Sequence, residues 1–386
     1  TPTPTPTLSA YSLFMNKRSV LLSLLTGAYA REGEFGRNGC ILAFEQAGEI
    51  AGRKVEVIVE DTEMKADIAL TKVRKLVERD KVHFTIGCYS SAVGLAVRDY
   101  ADAHEAPHIF AYGASALEFI TTKLSPWCRH PVYGGPSHGY GFPDFVVKEL
   151  GYKRVIIMAP DYAWGWSERD FVKAAVEAAG GEIVQEFITP FPTLDYAPYL
   201  GAIKVDEADV VYSEYAGADA PRLVKQYRES GIKLPHVGSA TFMAGMLEDE
   251  GLDAVGSYCA MVWFPTLDTP ENKAFLEAYR AKYGVEPGLN AATSYTSTLL
   301  AIEALKKIEG NVEDKRAFLD AWHELEPIKT PLGKVGYEAA TESPILSVYV
   351  VQVIEENGEP TYGPVLKEIP YAKCSDMLKL MGLWEE

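Results

Sequence analysis

Basic residues are in short supply. Lys and Arg number 37 against 54 Asp and Glu, a formal net charge of −17. A surface that negative repels phosphate backbones and anionic lipid, so nucleic-acid binding and peripheral membrane binding are set aside at once. Long apolar runs are missing as well. No stretch approaches the ~20 apolar residues that cross a bilayer, and the apolar run from Val20 to Leu25 is ended by Thr26-Gly27. A basic start, an apolar core and a small-residue cleavage site do not follow one another as in a signal peptide. If the protein is exported, this chain is expected to be its mature form.

Cysteine is sparse. Cys40, Cys88, Cys128, Cys259 and Cys374 lie far apart and form no CxxC pair. Zinc-ribbon and redox-motif readings are weak for that reason, and the odd number leaves a thiol unpaired within the chain. The seven histidines form no HxH cluster. Gly27, Gly33, Gly36 and Gly39 follow the first strand, but neither as GxGxxG nor as GxxxxGK[ST]. No cofactor is expected. A set such as Asp61, His83 and Ser90 arises by chance in any chain of this size. Glu248-Asp249-Glu250 reads as a solvated face, because calcium loops need alternating oxygen ligands and a turn glycine. Neither metal nor catalytic residue is assigned, and the protein is not expected to be an enzyme.

What is present is an α/β pattern. At 386 residues the chain exceeds one ordinary domain. Its 47% hydrophobic and 24% charged content is that of a folded globular protein. Ser19–Leu25, Lys54–Glu60, Val82–Ile86 and His108–Ala111 read as strands, with helices at 36–47, 66–78 and 94–103 between them. Such alternation implies βαβ units and a parallel sheet. The rhythm restarts after Pro131. Strands are expected at 154–159, 182–188, 208–213 and 237–239, and helices at 142–150, 167–179 and 220–229. Later come helices at 274–283 and 294–308, a strand at 347–354, and a hairpin turn at Glu356-Asn357-Gly358. Tyr371–Trp384 has helical spacing and is expected to pack on the body. The Thr-Pro alternation of residues 1–7 favours an extended backbone, either a tether or an unstructured terminus.

Parallel sheets bind ligands in loops beyond the carboxyl ends of their strands. Two such loops, Gly87-Cys88-Tyr89-Ser90-Ser91-Ala92 and Tyr112-Gly113-Ala114-Ser115, pair small residues with hydroxyls just ahead of a helix. Backbone N–H groups at a helix N-terminus plus serine donors cradle a carboxylate; plain helix capping is the competing reading of each serine. Aromatic residues crowd the same positions in both halves: Tyr29, Tyr89, Tyr112, Tyr162, Trp164, Trp166, Tyr215, Trp263 and Phe264. They are candidates for covering an apolar or cationic ligand portion, or for packing between the halves.

The stretches "LLTGAYAREGEFGRNGCILAFEQ", "EDTEMKADIALTKVRKLVERDKVHFTIGCYSSA", "GYKRVIIMAPDYAWGWSERDFVKAAVEAAGGEIV" and "TPLGKVGYEA", in that order, resemble the type I periplasmic solute-binding proteins of the branched-chain amino acid and amide uptake systems. The likeness spans about residues 18 to 365. It implies two Rossmann-like lobes with parallel-sheet cores joined by three hinge crossings. Lobe 1 would be 18–131 plus 262–338 and lobe 2 132–261 plus 339–366, with an N-terminal extension at 1–17 and a tail at 367–386. It also implies a ligand enclosed between the lobes and delivered to the membrane permease of an ABC transporter. A periplasmic or extracellular place follows, with a lipid anchor to the cell envelope as one variant and a monomer as the expected state. The carboxylate-holding positions fall on Ser90, Gly113 and Ser115, and the flanking ones on Glu32, Cys88, Tyr89 and Ala114. The closing aromatic falls on Trp164, with Tyr215 expected to help cover the ligand.

One departure bears on the ligand. Amino-acid-binding relatives carry an acidic residue after the glycine near Val237, whereas here Gly238 is followed by Ser239-Ala240-Thr241. A buried ammonium without a carboxylate is costly. Either Glu32, Glu214 or, more weakly, Asp219 substitutes, or the ligand is an aromatic or other small carboxylate without an α-ammonium. A ligand-sensing regulator on the same fold is the alternative function.

Overall fold

The computed structural model describes residues 17–23, 25–26, 29–121, 124–131 and 139–384. The Thr-Pro run, almost all of the N-terminal extension, Gly27-Ala28 and the start of the second lobe at 132–138 lie outside them.

Among the described residues there are two sheets. The first is six-stranded, in the order Glu49–Ile50, Arg53–Asp61, Lys17–Ser23, Phe84–Gly87, His108–Phe110 and Cys128–Arg129. All its neighbours pair in parallel except the Glu49–Ile50 hairpin edge. Numbering its parallel strands along the chain gives the order 2-1-3-4-5. The second sheet repeats that order with Glu182–Thr189, Arg154–Pro160, Val210–Ser213, His236–Val237 and Tyr258–Met261. It then extends through the long antiparallel strand Ser343–Glu356, which pairs with four others. The chain passes from the first sheet to the second after Arg129; after Met261 it runs through helices, of which Leu289–Lys307 packs on Ala30–Ala47, before rejoining the second sheet at Ile328–Thr330.

The strands form because β-branched and aliphatic residues fill both faces. Val155 to Met158 and Val210 to Tyr212 are fully buried, and each such side chain contributes roughly 1.5–3 kcal/mol on leaving water. The hairpin at Asn357-Gly358 is present, with both residues at positive φ, as its tight turn requires. Two elements differ from expectation. The first helix runs Ala30–Ala47, a turn and a half longer than the apolar spacing indicates, because glycines interrupt that spacing where other groups crowd in. A Cβ on Gly36 would lie 2.4 Å from the Tyr112 ring, and one on Gly39 would lie 2.1 Å from the Ala291 carbonyl oxygen. These glycines let helix Leu289–Lys307 pack closely; they hold no phosphate. At the C-terminus, Lys367–Lys373 is a strand on Ser343–Glu356, and the helix is confined to Cys374–Leu380, where Met377 and Leu378 are buried.

Candidate functional site

The carboxyl ends of the two sheets face each other. Between them lies a cavity of about 50 Å³. From the first sheet come Met64, beyond Arg53–Asp61, then Tyr89, Ser90 and Ser91 beyond Phe84–Gly87, and Gly113, Ala114 and Ser115 beyond His108–Phe110. From the second come Tyr162 and Trp164 beyond Arg154–Pro160, Ala216, Ala240, Met243 and Met261. Leu289 and Asn290, at the start of Leu289–Lys307, complete the wall. Of the ten sequence candidates, the structure brings Tyr89, Ser90, Gly113, Ala114, Ser115 and Trp164 together on this cavity. Glu32, Cys88, Glu214 and Tyr215 are not in its lining.

The first-sheet loops bring hydroxyls and backbone N–H groups to the cavity. Ser90 takes the N-cap position of the helix Ser91–His104, yet its hydroxyl caps nothing. Ser115 is buried, and its hydroxyl has no hydrogen-bond partner among the described residues. The N–H groups of the helix's first turn are unsatisfied by its own carbonyls. Cys88, Gly113 and Ala114 all have positive φ, so the backbone folds back on itself in both loops. Gly113 is required twice over: its φ is +58°, and a Cβ would sit 2.4 Å from the Tyr89 carbonyl oxygen. Ala114 N–H donates to that same oxygen at 2.5 Å, and Ser91 Oγ accepts from Ala116 N–H at 3.2 Å, so the two loops are tied together.

An aromatic belt runs from one lobe to the other. Ring centroids follow at 6.2 Å from Tyr112 to Tyr89, 5.2 Å to Tyr29, 5.6 Å to Phe191, 5.0 Å to Tyr162 and 5.8 Å to Trp164. Trp164 is fixed by its indole N–H, which donates to Glu168 Oε1 at 2.8 Å. Burial, and then the nearby Glu214, push the Glu168 carboxyl well up. Phe191 escapes the sequence reading, although the strand-end rule applies to it too, two residues past Thr189.

The remaining candidates are engaged elsewhere. Glu214 accepts the N–H groups of Ser239 and Ala240 at 3.2 and 3.0 Å, fixing the turn whose Ala240 lines the cavity. Burial raises it to about 7, against the lowering effect of those bonds. Glu32 is likewise raised to about 7 by burial. Tyr215 bonds Thr189 at 2.9 Å and meets Tyr196 edge-on, leaving its neighbour Ala216 at the wall. Asp219 is paired with Arg222 at 2.6 Å. Cys88 is buried, which pushes its thiol up. Trp263 donates to Asn272 at 2.7 Å and packs inside. The lining therefore holds no charged side chain. Met64, Met243, Met261 and Asn290 were invisible to the sequence reading, since nothing local marks a lone methionine or asparagine.

Contacts outside the cavity lining also link the two halves. Arg31 pairs with Glu248 at 2.6 Å and Asp249 at 2.7 Å, and Leu117 N–H donates to Ser167 Oγ at 3.0 Å. A cavity of about 50 Å³ is smaller than the roughly 150 Å³ that admits benzene in a buried site. A ring-sized ligand enters only if the lobes part and the unbranched methionines re-pack.

The model of the periplasmic binding protein family matches residues 20–359. "Leu/Ile/Val-binding protein homolog 6" of Brucella melitensis is 25% identical, over 87% of each chain. Among solved structures, an ABC transporter substrate-binding protein from Sphaerobacter thermophilus is similar at TM-score 0.88 and 32% identity, covering 93% of this chain and 99% of that one. A solute binding protein of an ABC transporter from Rhodopseudomonas palustris BisB5, in complex with 3,4-dihydroxybenzoic acid, is similar at TM-score 0.86 and 25% identity, covering 93% and 98%.

Proposed function

Since the chain belongs to the periplasmic binding protein family, we propose that it is the extracytoplasmic receptor of an ABC uptake transporter for a small carboxylate without an α-ammonium group. The family is one of solute carriage, not of catalysis. The observation that carries the ligand reading is the lining. Ser90, Gly113 and Ser115 bring hydroxyls and N–H groups to the lining, the rest of which is mostly methionine, aromatic and small apolar residues, with no carboxylate in it among the described residues. An anion is served by the first part. A flat or apolar body is served by the second. An ammonium would be stranded, because burying it unpaired costs several kcal/mol. The 3,4-dihydroxybenzoic acid complex of the similar R. palustris protein supports the same class.

Binding would proceed by docking on the first-lobe loops, followed by closure of Trp164 and the second-lobe wall. The closed arrangement is selected because the ligand touches both lobes. We keep the lobe limits at 18–131 plus 262–338 and 132–261 plus 339–366 as part of this proposal. So are release to a membrane permease, a monomeric state, and a Thr-Pro tether to a lipid anchor. A thermal-shift panel tests the ligand class: benzoate and its hydroxylated forms should raise the melting temperature, and leucine should not. Stabilisation by leucine alone would overturn the assignment.

A further inference from the structure

Resting on the carboxylate reading, we propose that Asn290 is a second recognition point, which hydrogen-bonds a hydroxyl group on the body of the ligand. Asn290 is 3% exposed and borders the cavity. Among the described residues its side-chain amide has no hydrogen-bond partner, yet its atoms are not sealed off from open space. The open space beside them is the cavity. The neighbouring wall of Met64, Met243, Met261 and Leu289 offers an amide nothing. Leaving an amide unpaired in such surroundings is unfavourable, so a buried one without a protein partner points to a partner that arrives.

The position of Asn290 is fixed by the backbone. Gly288 precedes the helix Leu289–Lys307, and a Cβ there would lie 2.6 Å from the Phe35 ring. Leu289 N–H donates to the Ala244 carbonyl at 2.8 Å. The helix start is thus clamped between the first helix and a second-lobe loop, and Asn290 is held where it stands. It belongs to a different element from Ser90 and Ser115, which gives the site two separate polar points with apolar walls between. Because the amide both donates and accepts, it suits a hydroxyl, which does the same. The ligand class narrows to hydroxylated carboxylates.

Calorimetric titration of the full chain with benzoate, 3-hydroxybenzoate and 4-hydroxybenzoate tests this. At least one hydroxybenzoate should bind about tenfold tighter than benzoate, as one added neutral hydrogen bond allows. Asn290→Leu should bring the ratio of hydroxybenzoate to benzoate affinity to about one, and Asn290→Ala should do the same if leucine disturbs the helix start. Equal losses for all three ligands would place Asn290 at the carboxylate and overturn the inference. An unchanged preference in both variants would also overturn it. If the unaltered protein binds none of the three, the carboxylate reading itself fails, and this inference falls with it.

Discussion

Replacing Ser115 with alanine separates binding from folding. The Ser115 hydroxyl is buried against the cavity and has no hydrogen-bond partner among the described residues. Its loss therefore takes no hydrogen bond from the empty protein, and the melting temperature should hold. In the complex, the same hydroxyl would donate to a carboxylate oxygen. A hydrogen bond to a charged group contributes about 1.5–3 kcal/mol, which converts to a loss of roughly tenfold to a hundredfold in affinity. Ser91 is the internal control. Its Oγ already accepts from Ala116 N–H at 3.2 Å and is deeply buried, so Ser91→Ala should lower stability by about 1 kcal/mol as well as weaken binding. Paired calorimetry and thermal melts distinguish the two. Unchanged affinity in Ser115→Ala would refute the role of the hydroxyl. A fall in affinity matched by a fall in melting temperature would show a structural serine instead.

Gly113→Ala should cost at least about 1–3 kcal/mol from the left-handed backbone alone, with the Tyr89 carbonyl at 2.4 Å adding to it; a denaturation midpoint equal to that of the parent would contradict the loop geometry. Glu32 is raised to about 7 by burial, so the folded protein holds that proton between about 4.5 and 7 and loses stability as pH rises through this window. Glu32→Gln removes the loss, by up to about 1.4 kcal/mol per pH unit, so its advantage over the parent should grow from pH 5 to pH 8 and would be constant if the carboxyl were solvated. Arg31→Ala removes exposed ion pairs with Glu248 and Asp249 that link the two halves; each such pair contributes about 0.2–1 kcal/mol, so ligand affinity should fall about twofold to fivefold in dilute buffer and recover toward the parent value in concentrated salt, whereas a salt-independent loss would assign Arg31 another role.

How far the sequence reaches can be judged residue by residue. Alternation of apolar strands and amphipathic helices is a local signal, so the two βαβ series were legible, and so was the Asn357-Gly358 turn. That the serine loops border a cavity was legible because they follow parallel strands at their carboxyl ends, where such sheets leave crevices. Glu214 was misleading. Its charge suggested an ammonium partner, but its environment is set by Ser239 and Ala240, some 25 residues onward, whose N–H groups it accepts. Tyr215 misled for a similar reason: alternation along the chain turns its ring to Thr189 and presents Ala216 to the cavity. Met64, Met243, Met261 and Asn290 come from four distant segments, and only tertiary packing brings them to one wall. The extra helical turn from Ala30 was hidden by glycines, whose purpose is visible only once Tyr112 and Ala291 are seen against them.

A crystal structure of the protein with bound benzoate tests the central claim most directly. The account predicts the carboxylate oxygens within hydrogen-bond distance of the Ser90 and Ser115 hydroxyls and of the N–H groups beside Gly113, with the ring between Trp164 and the methionines. A carboxylate seated away from those loops, or held by an arginine or lysine, would contradict it.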